Sequence, residues 1–150
     1  MMNGFVVLLL SALTVFLFIY GLKSSQGGKP GEELLDAVRA GNMQQMMVFI
    51  NRGVDVNYQD AMGNTALIIA TNGGFYTMAE RLIAQGAEVN AKNCLGETPL
   101  MQGTKQNHAK MVLLLLQNGA DREMKTRQGW NARLIAEALG SGSVQKLLTQ

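Results

Sequence analysis

The feature that most limits what this chain can fold into is a short phrase written three times at one interval. "GNTAL" begins at Gly63, "GETPL" at Gly96 and a looser copy, "GWNAR", at Gly129, so successive starts are 33 residues apart. A second glycine series, Gly53, Gly86 and Gly119, keeps the same spacing. Each of its members follows an apolar run of helical character: "MMVFINRG", "AERLIAQG" and "VLLLLQNG". A glycine just past a helix takes the left-handed conformation that ends it. "VDVN", "AEVN" and "ADRE" come next, then a polar turn and the second glycine. Thr65 and Thr98 stand where a side-chain oxygen caps a new helix, and Pro99 occupies a first-turn position where a missing N–H costs nothing.

Each unit therefore reads as a turn, a short helix, a tight loop at Gly41, Gly74, Asn107 or Gly140, and a second helix. Helices this short do not persist alone in water, and each pair has apolar residues on two sides, so the pairs must stack on one another.

The period and the phrases "GNTALIIATNGGFYTMAERLIAQGAEVNAK" and "GETPLMQGTKQNHAKMVLLLLQNGAD" resemble the ankyrin repeat. The resemblance covers residues 31–150 and implies an all-α ankyrin-repeat solenoid of about four helix-turn-helix units. These are an N-terminal helix pair (31–59) without its own turn, two full repeats (60–92 and 93–125) and a short closing repeat (126–150). Departures from the family pattern are informative. Ile68 and Met101 replace the histidine that follows "T-P-L", and Ala66 replaces proline. Arg133 stands where the internal repeats carry leucine, which suits a closing unit whose outer side faces water. Glu32, Glu33 and Asp36 serve the first helix in the same way, and acids there also favour its dipole.

Ahead of the repeats, Phe5 to Leu22 is a run of 18 residues without a charge. As a single N-terminal hydrophobic helix it spans about 27 Å, close to the ~30 Å hydrocarbon core of a bilayer. Residues 1–22 are therefore predicted to be a transmembrane anchor and 23–30, "KSSQGGKP", a flexible tether. The alternative is a signal peptide cleaved near Ser25-Gln26-Gly27, which would release a secreted or periplasmic module. Against it, "MMNG" supplies no basic residue ahead of the run. A single-pass structural subunit of a membrane complex is a further reading, but Ser11, Ala12 and Gly21 do not form a small-residue stripe. Lys23 and Lys29 both follow the run, which by the positive-inside rule places the repeats in the cytoplasm.

Composition removes whole classes of function. One cysteine and one histidine leave no disulfide framework and no material for a thiolate or imidazole metal site. No phosphate-binding loop or nucleophile–base pair is visible, so neither an enzyme nor a cofactor is expected. The net charge of +2 does not call for nucleic acid. Cys94, on a turn, lacks the strongly electropositive setting of a reactive thiol. His108 begins a second helix, where the resemblance implies hydrogen bonds between units. Met43, Met46, Met47, Met111 and Met124 fall at helix or junction positions and read as core filler.

The resemblance also implies a binding face, made of the projecting turns and the ends of the first helices, with another protein as partner. Position by position this nominates Met62, Asn64, Leu95, Glu97, Arg127 and Trp130 on the turns. Arg39, Asn72, Lys105 and Gln106 fall at the helix ends, and Lys92 and Lys125 just before the turns. Of the 13 Lys and Arg residues, Lys23 and Lys29 precede the repeats, leaving eleven basic side chains against 11 acidic ones. The nominated face holds five of those cations and one acid, Glu97, so a partner with an acidic and apolar surface is expected. The lipid bilayer is the second expected contact, through residues 5–22.

Overall fold

The computed structural model describes residues 28–149. The predicted anchor, 1–22, and the predicted tether as far as residue 27 lie outside them. Among the described residues there are eight helices and no strand: α1 (Pro30–Arg39), α2 (Met43–Asn51), α3 (Ala66–Asn72), α4 (Tyr76–Ala84), α5 (Pro99–Lys105), α6 (Ala109–Gln117), α7 (Ala132–Leu139) and α8 (Gly142–Thr149). None of them is long and apolar enough to cross a membrane. α1 begins at Pro30, one residue inside the predicted tether, because proline at the first helical position has no N–H to leave unsatisfied.

The helix boundaries follow from capping chemistry. Thr65 Oγ1 accepts from the Ile68 amide at 3.3 Å and Thr98 Oγ1 from the Met101 amide at 3.4 Å. Asn131 Oδ1 accepts from the Leu134 amide at 2.9 Å, so the loose copy "GWNAR" starts its helix by the same device. At the ends of α2, α4 and α6, Gly53, Gly86 and Gly119 have φ of 82°, 89° and 86°. There the next amide reaches back to the helix, with Val54 donating to Phe49, Ala87 to Leu82 and Ala120 to Leu115 at 3.2, 2.9 and 3.0 Å. Between the helices of each unit, Gly41, Gly74, Asn107 and Gly140 all have positive φ, asparagine being the side chain that best tolerates that region.

The helices form two rows. α1, α3, α5 and α7 pack successively on one another, and the second helix of each unit packs against the first. One continuous core runs along the stack, with Leu34, Leu35, Leu67, Leu82, Leu100, Met101, Val112 and Leu115 at most 1% exposed. Of the five methionines read as core filler, Met46 and Met111 are buried within it and Met43, Met47 and Met124 are half-buried against it. Ring packing links the units: Phe75 lies over Gly41 and His108 over Gly74, one repeat further on. His108 makes no side-chain hydrogen bond among the described residues, so it joins the units by contact and not by the expected polar link.

The joint between units also has a polar strap that the sequence reading did not assign. Asn57 Nδ2 donates to the Gly86 carbonyl at 3.2 Å, and its Oδ1 accepts from the Glu88 amide at 2.8 Å. Asn90 repeats the pair with Gly119 and Asp121 at 3.1 and 2.9 Å. The third copy has Glu123 at this position and makes no such bond among the described residues. At the first unit, the Tyr58 ring covers Gly31 and its hydroxyl donates to Glu32 at 3.1 Å. At α7, Arg133 pairs with Glu137 at 3.1 Å where internal units bury Leu100 and Thr104, while Leu134 is left exposed.

Candidate functional site

Each projecting turn is closed on itself by one oxygen-bearing side chain. Asp60 Oδ1 accepts from the amides of Met62 and Asn64, both at 2.9 Å. Asn93 Oδ1 does the same for Leu95 and Glu97 at 2.9 and 3.0 Å, and Thr126 Oγ1 accepts from Trp130 at 3.1 Å. The backbone closes the turns too, Gly63, Gly96 and Gly129 donating to residues 60, 93 and 126 at 2.9, 2.9 and 3.0 Å. Neighbouring turns are then bonded in register: Cys94 N–H to the Met62 carbonyl at 2.8 Å, and Arg127 N–H to the Leu95 carbonyl at 3.0 Å. The turns thus form a connected row and not three independent loops.

That row carries a chain of polar contacts along its base. Arg39 donates to Asp60 at 2.7 Å and to Asp36 at 2.8 Å. Asn64 donates to Asp60 at 3.3 Å, and Asn93 Nδ2 donates to both Asn64 Oδ1 and Glu97 Oε2 at 3.2 Å. Gln102 donates to Glu97 at 2.7 Å, and the Lys105 ammonium pairs with its other oxygen. Burial pushes the Asp60 carboxyl up, but hydrogen bonds from Asn64 and Met62 and the Arg39 charge outweigh it and leave it below the usual carboxylate range. Burial acts on Glu97 in the same sense and is likewise overcome, here by Lys105, Asn93 and Gln102.

This network corrects the sequence reading of the face. Glu97, grouped there with residues free to meet a partner, is 7% exposed and committed to three neighbours. Arg39 and Lys105 count as cations in sequence, yet each is matched by a carboxylate of the turn beside it. Asp60 belongs to the face and was not nominated. The signal that would have found it is the recurrence of Asp, Asn and Thr at 60, 93 and 126, each a short side chain with an acceptor oxygen. Lys92, Lys125 and Arg127 are exposed and have no carboxylate within ion-pairing distance among the described residues. Lys92 and Gln59 each reach the backbone carbonyl one repeat on, at Lys125 and Lys92, both at 3.4 Å. Asn72 accepts from Gln106 at 2.9 Å, so those two nominated residues also meet each other.

Two clefts lie in the angle between the turns and the first-row helices. One is polar and is lined by Arg39, Asn64, Ile68, Ile69, Asn72 and Gln102. The other, about 230 Å³, is apolar over most of its wall and is framed by Thr126, Gln128, Trp130, Ile135, Ala138 and Leu139, with the Glu97–Lys105 pair at its rim. Met62, Leu95, Trp130 and Leu139 are 56, 55, 44 and 55% exposed, which puts four large apolar side chains in solvent along one face. Leu139 is not among the residues singled out from sequence, because nothing in its neighbours marks the loss of cover it suffers in the last unit. Among the described residues no group of three or more His, Cys, Asp or Glu side chains could hold a metal ion. Cys94 is exposed, its thiol 3.8 Å from the Ala61 carbonyl. The arrangement offers shape, apolar area and charge, which are the means of binding.

Residues 34–126 match the family model for ankyrin repeats, in three copies. Comparison with the curated proteins finds no match.

Proposed function

The chain belongs to the ankyrin repeat family, whose repeats bind other proteins, and we propose that it is a non-enzymatic protein-binding module that uses the face between its turns and first-row helices. The observation that carries this reading is that Met62, Leu95, Trp130 and Leu139 are exposed along that one face, with Trp130 and Leu139 lining the apolar cleft of about 230 Å³. Large apolar side chains exposed along one face beside a cleft are the usual mark of a contact surface. The turns that present Met62, Leu95 and Trp130 are fixed by their mutual backbone bonds, so little conformational freedom is left to lose on binding.

The same proposal places the module at a membrane, held by Phe5–Leu22 with the repeats on the cytoplasmic side. The uncharged 18-residue run and the position of Lys23 and Lys29 after it support that placement. An exposed, unpaired Cys94 agrees with a reducing compartment.

Two measurements test the proposal. Tagged wild-type chain and a Trp130→Ala/Arg127→Glu variant are purified from the same membranes and their co-purifying proteins compared. Retention of every partner by the variant counts against the face. Intact mass and alkaline extraction test the anchor: a chain beginning near residue 28 and free of the membrane would instead establish a cleaved, released module.

A further inference from the structure

The polar network removes most of the charge that the sequence assigns to this face, and what remains is unevenly placed. In the cleft of the first units every polar group already has a partner: Arg39 with Asp36 and Asp60, Asn64 with Asp60 and Asn93, Asn72 with Gln106, and Gln102 with Glu97. A ligand entering there would have to break those bonds before making its own, which gives little net gain. Lys92, Lys125 and Arg127 have no carboxylate partner among the described residues, Lys92 donating only to the Lys125 carbonyl, and all belong to the later turns. Arg127 lies between Thr126 and Gln128, both of which line the apolar cleft. Glu97, the acid at that cleft, is neutralised by Lys105. The C-terminal half of the face therefore combines an apolar cleft with positive charge that no carboxylate matches, whereas the cleft of the N-terminal half is polar and its charges are matched.

Resting on the face proposed above, we infer that the partner presents an acidic segment with one large apolar side chain, seated in the cleft beside Trp130 with its carboxylates toward Lys92, Lys125 and Arg127. The cleft has room for one such group: an apolar cavity of about 150 Å³ already encloses a benzene ring, against about 230 Å³ here. Charge complementarity selects the flanking residues. A basic segment would meet three cations that no carboxylate matches, and like-charge juxtaposition suppresses the wrong partner. Binding in this register leaves Arg39, Asp60 and Asn72 uninvolved, so recognition is confined to the last two turns.

Trp130 is the only tryptophan in the chain and reports directly on its own cleft. The test selects phage-displayed random peptides on the full chain held in phosphatidylcholine nanodiscs. Tryptophan-free winners are then titrated while Trp130 emission is followed. The expected winners are acidic, contain a Phe, Leu, Ile or Met, and shift the emission. Their affinity should fall roughly thirtyfold in Leu139→Glu, the size of a hot-spot truncation, and at least about tenfold in Lys125→Glu/Arg127→Glu at low salt. Asn72→Arg should leave it unchanged. All of these side chains are exposed, and circular dichroism verifies that each variant is folded. Basic or uncharged winners overturn the inference. Winners lost only in Asn72→Arg overturn it too, while leaving the face itself intact; winners lost in none of the variants sink both. A shift of Trp130 on replacing phosphatidylcholine with phosphatidylglycerol, without peptide, would assign the cleft to lipid and also overturn it.

Discussion

Gly96 lies against the backbone of Arg127: a Cβ built on Gly96 would stand 2.9 Å from the Arg127 amide nitrogen. That same nitrogen donates to the Leu95 carbonyl at 3.0 Å, so the glycine and the bond that joins the second turn to the third depend on each other. Gly63 stands in the same relation to Cys94, with the Cβ position 3.0 Å from its amide nitrogen. Gly129 has an equivalent φ of 85° but nothing within 4 Å of its Cβ position.

The comparison gives a direct prediction about turn docking. Gly129→Ala should cost only the left-handed backbone penalty, about 1–2 kcal/mol. Gly96→Ala, with φ of 77°, meets that penalty and the clash together and should cost roughly twice as much or more. Denaturant unfolding of the full chain in mild detergent measures both. Equal losses would mean that the turns do not lean on one another.

Asn57 and Asn90 make the same two bonds to the following unit, one repeat apart. Asn57→Ala and Asn90→Ala should each lower stability by about 1 kcal/mol, the net worth of a typical hydrogen bond, since the carbonyl and amide they release belong to exposed residues that can turn to water. Glu123→Ala, at the matching position without a strap, should stay within about 0.5 kcal/mol. The same unfolding measurement decides the matter, and a loss at Glu123 as large as at Asn90 would contradict the strap.

Asp60 and Glu97 have folded-state pKa values below their ordinary 3.8 and 4.5. A carboxyl with a lowered folded value contributes stability that is fully present above its ordinary value and is lost as pH falls through the lowered one. Stability should therefore be flat with respect to these groups above about pH 5 and fall as the pH is lowered through 4.5 and then 3.8. Asp60→Asn and Glu97→Gln should be less stable than wild type at pH 7 and shallower in that acid window. Titration by NMR of the two carboxyls checks the assignment, and unshifted values would refute it.

Much of the stack was legible from sequence because glycine at a fixed interval has a single physical job in a helix terminus. The spacing of Gly53, Gly86 and Gly119 placed the ends of α2, α4 and α6, and Thr65 and Thr98 placed the starts of α3 and α5. The closing helix start at Asn131 was harder to see, since asparagine replaces the threonine of the other copies. The candidate face was legible in position and not in charge. Arg39 and Lys105 read as free cations because their partners, Asp60 and Glu97, lie 21 and 8 residues away, and only folding brings them together. The exposure of Leu139 was hidden for the same reason: it depends on where the stack stops covering its own helices.

We propose that partners meet the chain between its turns and first-row helices. The most direct measurement is site-specific photo-crosslinking in intact cells, with p-benzoyl-phenylalanine placed singly at Met62, Leu95 and Leu139 on that face and at Val48 and Leu113 on the second-row helices. All five side chains are exposed by 42% or more, so accessibility does not bias the comparison. One or more protein adducts are expected from Leu95 and Leu139 that are absent from Val48 and Leu113. Adducts confined to Val48 or Leu113 would contradict it.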